Sequence, residues 1–178
     1  TSALSGVSLT TSFDTTNSLA NQLQMVAKLI AARNSLGNKR QVFFVSLGGF
    51  DLHDNLITQH AKLLTQVDNA MNSFYQATVE LGVSQQVTAF TASDFGRTLA
   101  SNGDGSDHGW GSHHFVVGGA VNGQKFYGTP PSVDIGNTAQ DHVGQGRLIP
   151  STSVDQYAAT LAKWYGVSDN DLYNILPN

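Results

Sequence analysis

The chain has no cysteine, only nine lysines and arginines in 178 residues, and a single glutamate, Glu80, among thirteen acidic side chains. Without cysteine there are no disulfides, no zinc–thiolate centres and no thiol nucleophile. With one glutamate, any carboxylate chemistry has to be aspartate chemistry. Few basic residues and a net charge of −4 leave no electrostatic footprint for nucleic acid. No basic amphipathic stretch marks a membrane surface, and the longest apolar runs are far too short to span a bilayer. The opening "TSALSGVSLTTSF" has neither a basic start nor an apolar run, so no signal peptide is read there. As the chain also lacks an initiating Met, a processed or truncated start is expected.

What is present fits one globular domain. A hydrophobic content of 40% and regular apolar runs argue against disorder, and the length permits a real core. After a polar lead-in over residues 1–16, Asn17 or Ser18 is positioned to cap a helix reaching about Leu36. Leu19, Leu23, Val26 and Ile30 form its apolar face, and Gly37 is its stop. "QVFFVSL" (41–47) has the continuous apolar character of a buried parallel strand. The glycine-rich "GGFDLHDN" follows, and then a long helix capped by Asp54. Its face holds Ile57, Ala61, Leu64, Val67, Met71 and Phe74, and Gly82 ends it. "QQVTAFTAS" (85–93) reads as the next strand. Strand, helix, strand predicts an α/β fold: a parallel sheet, mixed at its edge, flanked by helices.

Downstream, "HHFVVGGAV" and "QKFYG" flank the hairpin signal "NG" at 122–123. Residues 129–146 read as a long loop and "GRLIP" as a short strand. "TSVDQYAATLAKWYG" predicts a helix with Tyr157, Leu161 and Trp164 facing inward. A final helical turn or two ends at Pro177.

In parallel sheets ligands gather beyond the carboxyl ends of the strands, and that is where the polar residues fall. In "FDLHD", Asp51 and His53 alternate around Leu52 and point the same way on an extended strand end. A carboxylate and an imidazole aimed together suit a divalent ion. The plainer reading is a turn in which Asp51 caps amides. In "SDFGRT", Asp94 could ligate metal and Arg97 could hold an anionic substrate through its planar fork. Equally, the two could form an ion pair that organises the turn. "SDHGWGSHHF" (106–115) holds three of the six histidines. Asp107 and His108 are adjacent, so in a glycine-flanked loop one can ligate while the other orients it. His113 and His114, at a strand start, should face opposite sides, so at most one reaches a site. Trp110 is read as a packing residue, and His60 and His142 as structural or solvated.

"GGFDLHDN", "TASDFGRT", "GSDHGWGSHHFVVGGAVNG" and "GRLIPSTSVDQYAATLAKWYGVSDNDLYNILPN" together resemble the C-terminal half of a bacterial family, domain of unknown function 1501. The likeness runs from about residue 40 to the end. That family is grouped with the alkaline phosphatase and sulfatase superfamily, so the resemblance implies an α/β sheet with a metal site at its strand ends. It also implies a sheet lacking its N-terminal part, because the superfamily's first strand, with an Asp ligand and a Ser or Thr nucleophile, would lie upstream. "FDLH" implies Asp51 and His53 as ligands, "TASDFG" implies Asp94, and "DHGWG" implies His108. Phe95 stands where a second histidine is usual and cannot ligate. Export by the twin-arginine route is common in the family, which implies a periplasmic or extracellular location.

The leading expectation is therefore an exported metal-dependent hydrolase of sulfate or phosphate esters, with an exported polysaccharide as one possible substrate. The ion would be divalent (Zn, Mn or Ca), and Arg97 would neutralise the anion. The competing expectation is a secreted binding or structural protein that keeps the fold without catalysis. Either way, an upstream segment of the same precursor or another copy of the chain is expected to cover the exposed sheet edge. Nucleic acid and membrane are not expected as partners.

Overall fold

The computed structural model describes residues 2–176. Pro177, the expected stop of the last helix, lies outside them. The chain divides into two compact units. The first comprises residues 1–94, 101–107 and 113–125, and the second residues 95–100, 108–112 and 126–178.

The first unit holds the apolar core. Helix α1 (Ser18–Ala31) starts at Asn17, whose side-chain oxygen accepts from the amides of Leu19 and Ala20. The expected single helix to Leu36 is divided at Ala32, and a short α2 (Arg33–Leu36) ends on left-handed Gly37, φ 68°. Helix α3 (Leu56–Glu80) packs along α1. Ala20 and Ala27 on α1, and Ala70 and Ala77 on α3, are all but fully buried. Seven-residue spacing puts each pair on one stripe, and with no side chain beyond Cβ the helices can approach closely. Phe13, Leu19, Leu23, Val26, Ile30, Phe74 and Val83 complete the cluster. The outer part of the predicted α3 face is not core, since Ile57 is 87% exposed.

Glu80, the lone glutamate, ties the lead-in to the end of α3. Its carboxylate accepts from the Thr11 hydroxyl at 2.6 Å and from the amides of Thr10 and Thr11 at 2.7 and 2.8 Å. The Thr11 hydroxyl foremost, then the two amides, lower its pKa from an ordinary 4.5 to about 2. A depressed folded-state pKa stabilises above the unfolded value, and the contribution fades as pH falls from about 4.5 through about 2. Hydrogen-exchange protection of the Thr10 and Thr11 amides should therefore drop across that window. In Glu80→Gln it should already be weak at neutral pH and show no such step; unchanged protection in the variant would remove the tether.

The expected parallel sheet is not formed. Two small antiparallel sheets of two strands each are present, and no parallel pair occurs among the described residues. In the first, β1 (Thr88–Phe90) pairs antiparallel with β4 (Val116–Gly118), Ala89 opposite Val117. In the second, β2 (Gly96–Ser101) pairs with β3 (Ser106–Gly109). The physical reason lies in residues 41–47, which have no ladder partner among the described residues. The Gln22 side chain takes up both backbone groups of Ser46. Val45 and Leu47 pack against the core, while Val42 and Phe44 are 77% and 92% exposed. A crossover needs two paired strands, and one of them is unpaired. The hairpin expected around "NG" is likewise absent, because "QKFYG" forms no strand. "GRLIP" contributes only an isolated bridge, His142 with Leu148.

The second unit also contains α4 (Val154–Tyr165) and α5 (Asp169–Ile175). A Ser153–Gln156 capping box starts α4 and left-handed Gly166, φ 106°, stops it. Tyr157 and Leu161 are half-buried as expected, but Trp164 is exposed. No helix among the described residues is long and apolar enough to cross a membrane.

Candidate metal centre

The chain leaves the apolar 41–47 stretch through Gly49, φ 96°, and closes a three-residue turn in which the Leu52 amide donates to the Phe50 carbonyl at 2.9 Å. This turn, rather than a straight strand end, brings the neighbours of Leu52 together. Asp51 Oδ1 lies 2.9 Å from His53 Nε2.

A second carboxylate arrives from residues 102–107. The Asn102 side-chain oxygen accepts from the Gly105 amide at 3.1 Å, closing a turn of the kind Asn and Gly favour. Asp104 then anchors that turn to the start of α3, where its carboxylate accepts from the Asn55 amide and its carbonyl from Leu56. Asn55, left-handed at φ 51°, is thus the N-cap of α3 and Asp104 supplies its hydrogen bonds. The expectation that Asp54 caps this helix is corrected accordingly. Gly105 is required for a different reason: a Cβ there would overlap the carbonyls of Leu52 and His53. So seated, the loop places Asp107 Oδ1 at 3.3 Å from His53 Nδ1 and 3.1 Å from Asn102 Nδ2.

His53 therefore stands between two carboxylates, one on each ring nitrogen. A neutral imidazole donates from one nitrogen and accepts at the other. If Nδ1–H donates to Asp107, the Nε2 lone pair faces the Asp51 carboxylate, and either a proton on Nε2 or a metal ion between the two atoms can join them. This is the donor set of a metal-ligating histidine whose far nitrogen is held by a carboxylate. Ligand atoms about 2.0–2.2 Å from an ion lie roughly 3 Å apart, so the residues fit a divalent ion with little adjustment. The side chains are 46% (His53), 61% (Asp51) and 55% (Asp107) exposed, open to solvent and to an incoming ligand.

The second unit holds His108 and Arg97. The Phe95 and His108 rings stack with centroids 4.0 Å apart and planes 4° from parallel. The Arg97 guanidinium carbon lies 5.3 Å from the Phe95 centroid. Asp94 is exposed in the bend that precedes β2.

The family model described as "Protein of unknown function (DUF1501)" matches residues 5–174. The chain belongs to that family. Neither a curated protein nor a solved structure matches it. In this DUF1501 member, some neighbouring expectations are revised. His113 and His114 precede β4 rather than alternating in a strand, and both are exposed. His114 Nδ1 meets the Thr91 hydroxyl at 3.2 Å, and although the residue as a whole is exposed, the partial desolvation of its ring foremost, then the neighbouring His113, lowers its pKa. Trp110 is 63% exposed and is not a core residue. His60 sits edge-on to Phe50, with centroids 6.0 Å apart. His142 accepts from the Gly146 amide at 2.8 Å and so holds its own loop. Asn102, Asp104 and Gly105 escaped the sequence reading, although "NGDG" carries the turn chemistry that could have marked them.

Proposed function

We propose that this DUF1501 protein is an exported metal-dependent hydrolase of sulfate or phosphate esters, related to the alkaline phosphatase and sulfatase superfamily and acting in the periplasm or outside the cell. The observation that carries this reading is His53, bracketed by Asp51 at Nε2 and Asp107 at Nδ1. Asp51 and His53 are the central ligands, and Asp107 orients the His53 ring. Asp94 and His108 join the ligand set on the strength of their motifs. An imidazole beside carboxylates favours Zn or Mn over Ca, which prefers oxygen throughout. A bound ion there would supply Lewis-acid polarisation of an ester oxygen. Arg97 contributes a planar fork that pairs with two oxygens of a sulfate or phosphate group and neutralises its charge. A sulfated or phosphorylated polysaccharide is a fitting substrate class for an open, exposed site. No nucleophile is assigned to these residues, and an upstream segment of the precursor is the proposed source.

The test is metal analysis of the purified chain and titration with Zn²⁺ and Mn²⁺, followed by aryl-sulfate and aryl-phosphate hydrolysis by the full-length precursor. Tight, near-stoichiometric binding with turnover is expected. Binding without turnover would reassign the protein to a secreted binding or structural role. No binding would end the metal reading.

A further inference from the structure

The sequence "FGR" (95–97) has a division of labour that no ligand or anion role requires. Gly96 is buried, and a Cβ there would overlap the Gly111 carbonyl, so β2 lies backbone-to-backbone against the 108–111 stretch. Gly109 mirrors this, since a Cβ on it would meet the Arg97 carbonyl oxygen at 2.8 Å. Alternation along an extended chain puts Phe95 and Arg97 on the face opposite Gly96. The close approach brings the Phe95 ring flat onto His108, 4.0 Å away and within 4° of parallel. Arg97 reaches over the same ring at 5.3 Å.

The two rings are nearly parallel, with centroids closer than in most aromatic pairs. Two electron-rich rings prefer offset or edge contacts, with centroids about 4.5–7 Å apart. The arrangement becomes favourable when one ring is electron-poor, as an imidazole is when it bears a cation. A guanidinium over the same phenyl ring acts in the same sense, by drawing on its negative face.

We propose that Phe95 is a positioning residue: its ring fixes the plane of the His108 imidazole and steadies the Arg97 guanidinium, setting the direction of a ligand and of an anion-binding group together. The role of His108 as a ligand rests on the function proposed above, whereas the stacking itself does not.

The experiment uses the full chain with Phe95→Leu, Phe95→Met and Phe95→Tyr, each checked for folding by circular dichroism. Two quantities are read: the ring-current shift of the His108 ring protons without metal, and the Zn²⁺ dissociation constant. Phe95→Tyr should keep both. Phe95→Leu and Phe95→Met should lose the ring-current shift and weaken Zn²⁺ binding about tenfold, as loss of an outer supporting partner does. A purely volume-filling role would be rescued by Met and Leu, so unchanged Zn²⁺ affinity in those folded variants would overturn the proposal. If the unmodified chain binds no Zn²⁺, the proposed function fails and the ring shift of the unmodified chain alone decides: its absence there, showing that the Phe95 and His108 rings hold no fixed stack, would overturn the positioning role. Should Leu unfold the chain, the Met and Tyr variants decide.

Discussion

His53→Ala should abolish measurable Zn²⁺ binding, and Asp51→Asn should weaken it by a similar order, whereas Asp107→Asn should cost only about 10–100-fold. The grading follows from the two distances on the imidazole. Asp51 faces Nε2 at 2.9 Å, the nitrogen that the proposed ion would take in place of a proton. Asp107 faces Nδ1 at 3.3 Å and shares its oxygen with Asn102, so it holds the ring rather than the ion. Asp107→Asn retains an oxygen that can accept from Nδ1–H, and Asp107→Ala should therefore be worse than Asn. All four variants replace exposed side chains, so the fold should survive. Isothermal titration on the purified chain gives the ranking directly. Equal losses for Asp51→Asn and Asp107→Asn would show that both carboxylates ligate. Wild-type affinity in His53→Ala would place the ion elsewhere.

The sequence makes the first helix and the Asp51–His53 pair readable because both rest on local rules. The apolar positions from Leu19 to Ile30 repeat at helical spacing, and Asn17 is a strong cap. Asp51 and His53 stand two apart after an apolar run and meet in space, although through a turn rather than a straight strand. What was illegible depends on pairing. "QVFFVSL" carries the pattern of a buried strand, but a pattern does not name the partner that would complete its ladder. The parallel-sheet expectation failed there and nowhere else more plainly. The position of Asp107 was also hidden, because it depends on Asp104 capping α3 from 49 residues away and on Gly105 clearing the His53 carbonyl. Neither contact has a signature in local spacing.

The same unpaired run yields the second large effect. We propose that residues 41–47 are covered by a strand from an upstream segment of the precursor or from another copy of the chain. Val42 and Phe44 are 77% and 92% exposed, and neither edge of this extended backbone is in a ladder among the described residues. Exposed apolar side chains on an open strand edge invite pairing with any compatible strand. Covering one large apolar side chain is worth about 1.5–3 kcal/mol, roughly a 10–100-fold change in association at about 1.4 kcal/mol per tenfold. Phe44→Lys should therefore weaken self-association of the isolated chain by at least that factor, read as mass against concentration in analytical ultracentrifugation. Its own fold should be unharmed, because Phe44 touches little of the core, whereas Val45 and Leu47 pack against it. Co-expression with the upstream segment should suppress self-association of the unmodified chain and protect the amides of residues 42–45 from hydrogen exchange. A chain that is monomeric at every concentration, with those amides unprotected in the presence of the upstream segment, would refute the proposed pairing.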